Sequence, residues 1–217
     1  MRRKPLIASV FLMSSLPAWS ATLYTTFGPG DSYDTLSGIN WSVGSPTGVT
    51  AQEVAATFVA GFTGTLDSIR VAALHLNGPN SFTVSIATDN SGQPGTVLES
   101  FTGVTFTTVS SIVTLISGSN PLLSTGSTYW VGMTPTSLFA SQAGWNVNNQ
   151  GIGGTYRRFN GVDPWFLSDI NVAPTPAFEV NTTSNGVIPE PSTAGLTLAG
   201  LAGLALLARR RRNRRAA

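Results

Sequence analysis

Few residues in this 217-residue chain can do acid–base or metal chemistry. It has one histidine, His75, and no cysteine. His75 shares strand parity with Ile69, Val71 and Ala73, so the spacing predicts a buried or rim histidine rather than a base beside a nucleophile. No Gly-x-Ser-x-Gly elbow or Ser/His/Asp arrangement accompanies it. One histidine without thiols makes a poor transition-metal set. The carboxylates are hard oxygen ligands, and Asp31 with Asp34 in a Gly/Pro-rich loop, or Asp89 beside Asn90, could bind calcium. The competing reading, which we favour, is that these side chains cap their own turns. A glycosidase would need two carboxyls held about 5–10 Å apart across a cleft, and no local pattern supplies them. The expectation is therefore no catalytic residue and no cofactor.

A second set suits binding rather than catalysis. Trp145 and Asn146, then Tyr156 and Arg157, then Trp165, lie in a glycine-punctuated, amide-rich stretch. Flat aromatics beside amides and a guanidinium suit stacking on sugar rings, which makes these five residues candidate glycan contacts on long loops. The alternative is that Trp145 and Trp165 plug the core and that Arg157 or Arg158 pairs with Asp163 or Asp169.

The elements that must position these residues are strands. Glycine, serine and threonine are abundant, charges are few, and 21–186 holds no convincing amphipathic helix. Ser81 to Thr88 alternates Phe82, Val84 and Ile86 against Ser81, Thr83 and Ser85. Further strands are expected at Thr22–Phe27, Ile39–Val43, Glu53–Val59, Leu66–Leu76, Val97–Thr102, Val104–Val109, Ile112–Ile116, Thr128–Met133 and Phe178–Asn181, with turns such as Asn77–Asn80 and Asp89–Gly95 between them. About ten short strands imply an all-β domain, read as a two-sheet antiparallel sandwich of jelly-roll or immunoglobulin-like type.

Both ends of the chain differ from this middle. Met1-Arg2-Arg3-Lys4, an apolar run from Pro5 to Leu16, and small residues at Ala18 and Ser20 predict a signal peptide, 1–20, cut before Ala21. At the other end, 187–217, stand Pro189-Glu190-Pro191, an apolar run over 192–208, and Arg209, Arg210, Arg211, Arg212, Arg214 and Arg215. The prolines keep the tripeptide extended. The apolar run of about 17 residues gives roughly 25 Å of helix, at the short end of what spans a bilayer. Its six leucines contribute on the order of −2 to −4 kcal/mol to insertion, and the arginines hold the tail cytoplasmic with the domain outside. Gly195, Ala199 and Gly203 recur every fourth residue, which is either a helix-docking face or a chance pattern.

Between these ends, 21–186 contains three basic residues against nine acidic ones, a net charge of about −6. The whole-chain basicity belongs to the targeting segments, so nucleic acid is not an expected partner. An exported chain without cysteine must hold its fold without disulfides.

The order of motif, apolar helix and basic end resembles the PEP-CTERM sorting signal. That resemblance implies recognition by exosortase, a membrane protease-transpeptidase. It implies cleavage near Pro189, Glu190 and Pro191, and a precursor held in the inner membrane through 192–208. The mature protein would then reach the surface or matrix of a Gram-negative bacterium, associated with exopolysaccharide or biofilm. A second similarity rests on Gly28-Pro29-Gly30-Asp31-Ser32-Tyr33, Asn80–Val84, Asp89–Glu99, Tyr129-Trp130 and Gly144-Trp145-Asn146. These resemble choice-of-anchor domains, nearest the R type, which implies a surface domain with interchangeable anchors and no reaction. The leading expectation is thus a non-enzymatic exported protein; the second is a module binding extracellular polysaccharide.

Overall fold

The computed structural model describes residues 19–35, 41–44, 51–167 and 174–184. The expected signal sequence, apart from its last two residues, and the whole sorting tail lie outside them. No helix among the described residues is long and apolar enough to cross a membrane.

The described chain is all-β and antiparallel, as the alternation predicts. Its strands are β1 (Trp19–Thr25), β2 (Trp41–Gly44), β3 (Gln52–Val59), β4 (Gly64–Asn77), β5 (Phe82–Asp89), β6 (Pro94–Val104) and β7 (Ser111–Ile116). There follow β8 (Leu122–Leu123), β9 (Thr128–Pro135), β10 (Gln142–Trp145), β11 (Thr155–Phe159), β12 (Phe166–Leu167) and β13 (Phe178–Ser184). They join into one hydrogen-bonded sheet whose main path runs β1-β13-β4-β10-β2-β3-β9-β5-β6. β4 is its long spine. β13 pairs with the first half of β4 and β10 with the second, while β7 lies along the opposite edge of the same strand.

The core follows from period-two alternation. Val54, Ala56 and Phe58 of β3, Phe82, Val84 and Ile86 of β5, and Tyr129, Val131 and Met133 of β9 point to one side. Leu66, Ile69, Val71 and Ala73 of β4, with Phe178 and Val180 of β13, pack against them in the same cluster. Leu66 and Ile69 break strict parity because the β13 ladder shifts register between Asn181 and Thr182. The other side of β3, β5 and β9 carries a smaller cluster of Ala55, Ala87 and Trp130.

Several expected boundaries change. Val104 closes β6, and 105–110 form no strand; there Asn80 fixes the chain instead, donating to Phe106 O and accepting from Phe106 N. The supposed long loops around Trp145 and Tyr156 are strands β10 and β11. His75 is the rim residue: near the end of β4 its Nε2 lies 2.9 Å from the carbonyl oxygen of Gly78. Gly78 itself needs to be glycine, since its φ is 71° and an added Cβ would sit 1.8 Å from Ala140 O.

Candidate functional site

Strand β11 docks on the edge of β3 in register, Tyr156 opposite Ala55, Arg157 opposite Val54 and Arg158 opposite Glu53. Side chains alternate along β11, so Tyr156 and Arg158 share the face that carries Trp130. The Tyr156 ring meets Trp130 edge-on at 4.4 Å, and Trp165 lies 6.4 Å from Trp130. The Arg158 guanidinium sits 5.0 Å over the Trp165 ring and bonds both oxygens of Glu53, one at 3.1 Å. Arg157 lies 5.6 Å over Phe166, and burial lowers its pKa from the ordinary value. Trp130 Nε1 donates to Asp89 at 2.8 Å, and Gln93 donates to Trp165 O at 3.2 Å. The result is an aromatic and guanidinium face, bordered by the β5–β6 turn.

Two of the five candidate glycan contacts, Tyr156 and Trp165, are therefore brought together and half-exposed, while Arg157 lies on the opposite face of β11, over Phe166. Trp145 and Asn146 do not join them, being fully buried at 0% exposure each. Trp145 plugs the main core, donating to Ala177 O at 3.1 Å with its ring 6.3 Å from Phe178. Asn146 ties together Asp34 O and Ser110 Oγ. Neither can touch a ligand at the surface, which removes both from the contact set. Of the expected ion pairs, Arg158 takes Glu53 rather than Asp163, and Asp169 lies outside the described residues. Glu53, Trp130 and Gln93 are not among the contacts expected from the sequence. The parity of Trp130 against Tyr129 and Val131 was the one local signal that it faces away from the core.

The acidic candidates do not converge. Asp31, in the left-handed conformation at φ 60°, is bonded by Arg70 at 2.5 Å. That bond holds its carboxyl below the usual carboxylate range. Arg70 also reaches Glu179, its register partner across β4 and β13, at 2.9 Å. Asp34 is pinned to Val147 through its backbone. Asp89 accepts from the Gly92 N–H at 3.2 Å and from Trp130, closing its own turn. Among the described residues, no three His, Cys, Asp or Glu side chains are grouped to hold a metal ion.

The chain ends form the last feature. β1 and β13 pair antiparallel, with Trp19 opposite Ser184, Ser20 opposite Thr183 and Ala21 opposite Thr182. The first and last described strands thus leave the sheet at one end, side by side. Pro189, Glu190, Pro191 and the basic run from Arg209 follow beyond Ser184, outside the described residues. No curated protein matches the chain. Residues 187–212 match the PEP-CTERM protein-sorting motif. The chain thus carries the PEP-CTERM sorting motif, the mark of an exported protein that exosortase processes and that is anchored in the membrane as a precursor.

Proposed function

We propose that this is a non-enzymatic surface or matrix protein of a Gram-negative bacterium. Its precursor is held in the inner membrane by 192–208, with the domain outside and the arginines cytoplasmic, and its processed form associates with exopolysaccharide in a biofilm. The observation carrying this is the sorting motif at 187–212, which commits the chain to a delivery route. The state of the carboxylates supports a non-catalytic domain. Arg70 engages Asp31 and Glu179, Arg158 engages Glu53, and the 117–119 loop engages Glu99. The domain reads as a choice-of-anchor module, and its sheet as a two-layer sandwich. The core shared by β4 and β13 with β3, β5 and β9 supports the second of these. Replacing Pro189 and Pro191 together by alanine should leave full-length protein in the membrane fraction of the native host. Release of that variant at the normal rate would sink the reading.

A second reading, polysaccharide binding, is favoured by the clustering of Tyr156 and Trp165 with Arg158 on one half-exposed face, Arg157 lying on the other face of β11. Pull-down on the host's own exopolysaccharide, comparing wild type with Trp165→Ala, tests it. Equal retention of the two proteins would remove this face from consideration.

A further inference from the structure

The bond expected to be cut by signal peptidase, Ser20–Ala21, lies inside β1, a strand that among the described residues pairs only with β13. Ser20 and Ala21 stand opposite Thr183 and Thr182, partners 163 and 161 residues away in sequence. Side chains fix the pairing on both flanks of the bond. Ser20 Oγ donates to Asp67 at 3.0 Å, and Thr22 Oγ1 donates to Asn181 Oδ1 at 3.0 Å. Two residues further, Leu23 is buried and the Tyr24 ring packs between Phe58 at 5.3 Å and Phe178 at 5.5 Å. Thr26 then exchanges hydrogen bonds with the Phe178 backbone. Only the residues before Leu23 can fray without extracting core side chains.

A peptidase must take the residues on both sides of the cut bond as a lone extended strand in its own cleft, with the carbonyl carbon open to attack. A strand already laddered to a neighbour is not available in that form until it opens. β13 is the last described strand, so among the described residues β1 has no strand partner until residues 178–184 have been exported. We infer that docking of β13 onto β1 sets the order of processing: the signal peptide is removed before the domain closes, and closure then shuts the Ser20–Ala21 bond away. Hydrolysis adds one water across that amide, leaving a carboxylate on Ser20 and an α-ammonium on Ala21. Trp19 and Ser20 depart, so the mature ladder starts at Ala21 and Thr182. Residues 183 and 184 then lose their β1 partners, and Thr183 keeps only its pairing with Thr65 of β4. A precursor that closes uncut keeps both of its ends at one edge of the fold.

This inference rests on the signal-peptide reading, and the test separates the two. Full-length precursor is folded in detergent micelles and given purified signal peptidase, beside the same chain added straight from denaturant. Products are read by intact mass. The folded chain should be cut about tenfold or more slowly than the unfolded one, because cleavage must wait for local opening, and both should yield a product beginning at Ala21. A second arm uses Thr22→Cys with Asn181→Cys, a register pair within disulfide reach in a chain that has no other cysteine. The oxidised form should resist cleavage more than its reduced form. Equal rates for folded and unfolded chains, or for oxidised and reduced ones, would overturn the inference. No cut after Ser20 even in the unfolded chain would overturn the signal-peptide reading and the inference with it.

Discussion

Arg158 stands directly opposite Glu53 across the β11–β3 ladder, and its guanidinium lies on the Trp165 ring while bonding both carboxylate oxygens. Glu53 is only 5% exposed, and among the described residues Arg158 is the cation that pairs with it. Arg158→Ala should therefore cost about 3 kcal/mol, the low end for stranding a buried charge, because the arginine is itself partly open to water. Urea melts measure the loss, and near-ultraviolet circular dichroism should show Trp165 loosened at the same time. A change below about 0.5 kcal/mol, the size of an ordinary surface substitution, would mean that the pair holds nothing in place.

Acid should weaken the fold through two named carboxylates. Glu99 accepts from Ser117 Oγ at 2.5 Å and from the Gly118 and Ser119 N–H groups at 2.7 and 3.2 Å, tying β6 to the loop after β7. Burial raises its pKa, but these bonds outweigh burial and leave it lowered. The pKa of Asp31 is lowered by the Arg70 hydrogen bond. A carboxyl depressed in the folded state binds its proton more readily in the unfolded chain. The stability it gives is complete above the unfolded value and is lost as pH falls through the folded one. Melting temperature should thus hold steady from neutrality down to roughly pH 5 and drop below about pH 4. Glu99→Gln should flatten part of that drop. A melting temperature independent of pH over this range would contradict the assignment.

The two tryptophans that looked alike in sequence should behave differently. Trp145→Ala empties a fully buried site and should cost about 3–5 kcal/mol. Trp165→Ala removes a half-exposed ring over Arg158 and should cost about 1–2 kcal/mol while leaving the core intact. Thermal melts of the two variants check this ranking. Equal costs would place Trp165 deeper than the structure does.

Calcium should leave the domain unmoved. Asp89 already serves Gly92 and Trp130, and Asp31 serves Arg70, so neither carboxylate is offered to a cation. Millimolar calcium should not shift the melting temperature, whereas Asp89→Ala should lower stability by about 1–3 kcal/mol through the stranded indole N–H. A calcium-dependent rise would restore the turns as ligand loops.

Strands with clean alternation were legible in advance. Phe82, Val84 and Ile86 marked β5, and β3, β7 and β9 fell within about two residues of their expected bounds. What escaped was whatever depends on a partner far along the chain. β10 contains Ala143 and Gly144 and is a strand only because β4 and β2 flank it. β11 reads as a polar aromatic run until its ladder to β3 supplies a partner, and the Arg158–Glu53 and Arg70–Glu179 pairs are cross-strand neighbours that no local spacing announces. The sorting tail was the reverse case. Its tripeptide, apolar run and arginines are contiguous, so their order alone was enough to reveal it.

The central claim is that the tail is a sorting signal removed on delivery, and the intact mass of the protein from membrane, surface and medium fractions of its native host tests it most directly. The account predicts a released species that starts at Ala21 and ends near Pro189 to Pro191, with or without an added group at its new end. A mature species that keeps residues 192–217 and stays in the membrane would contradict it.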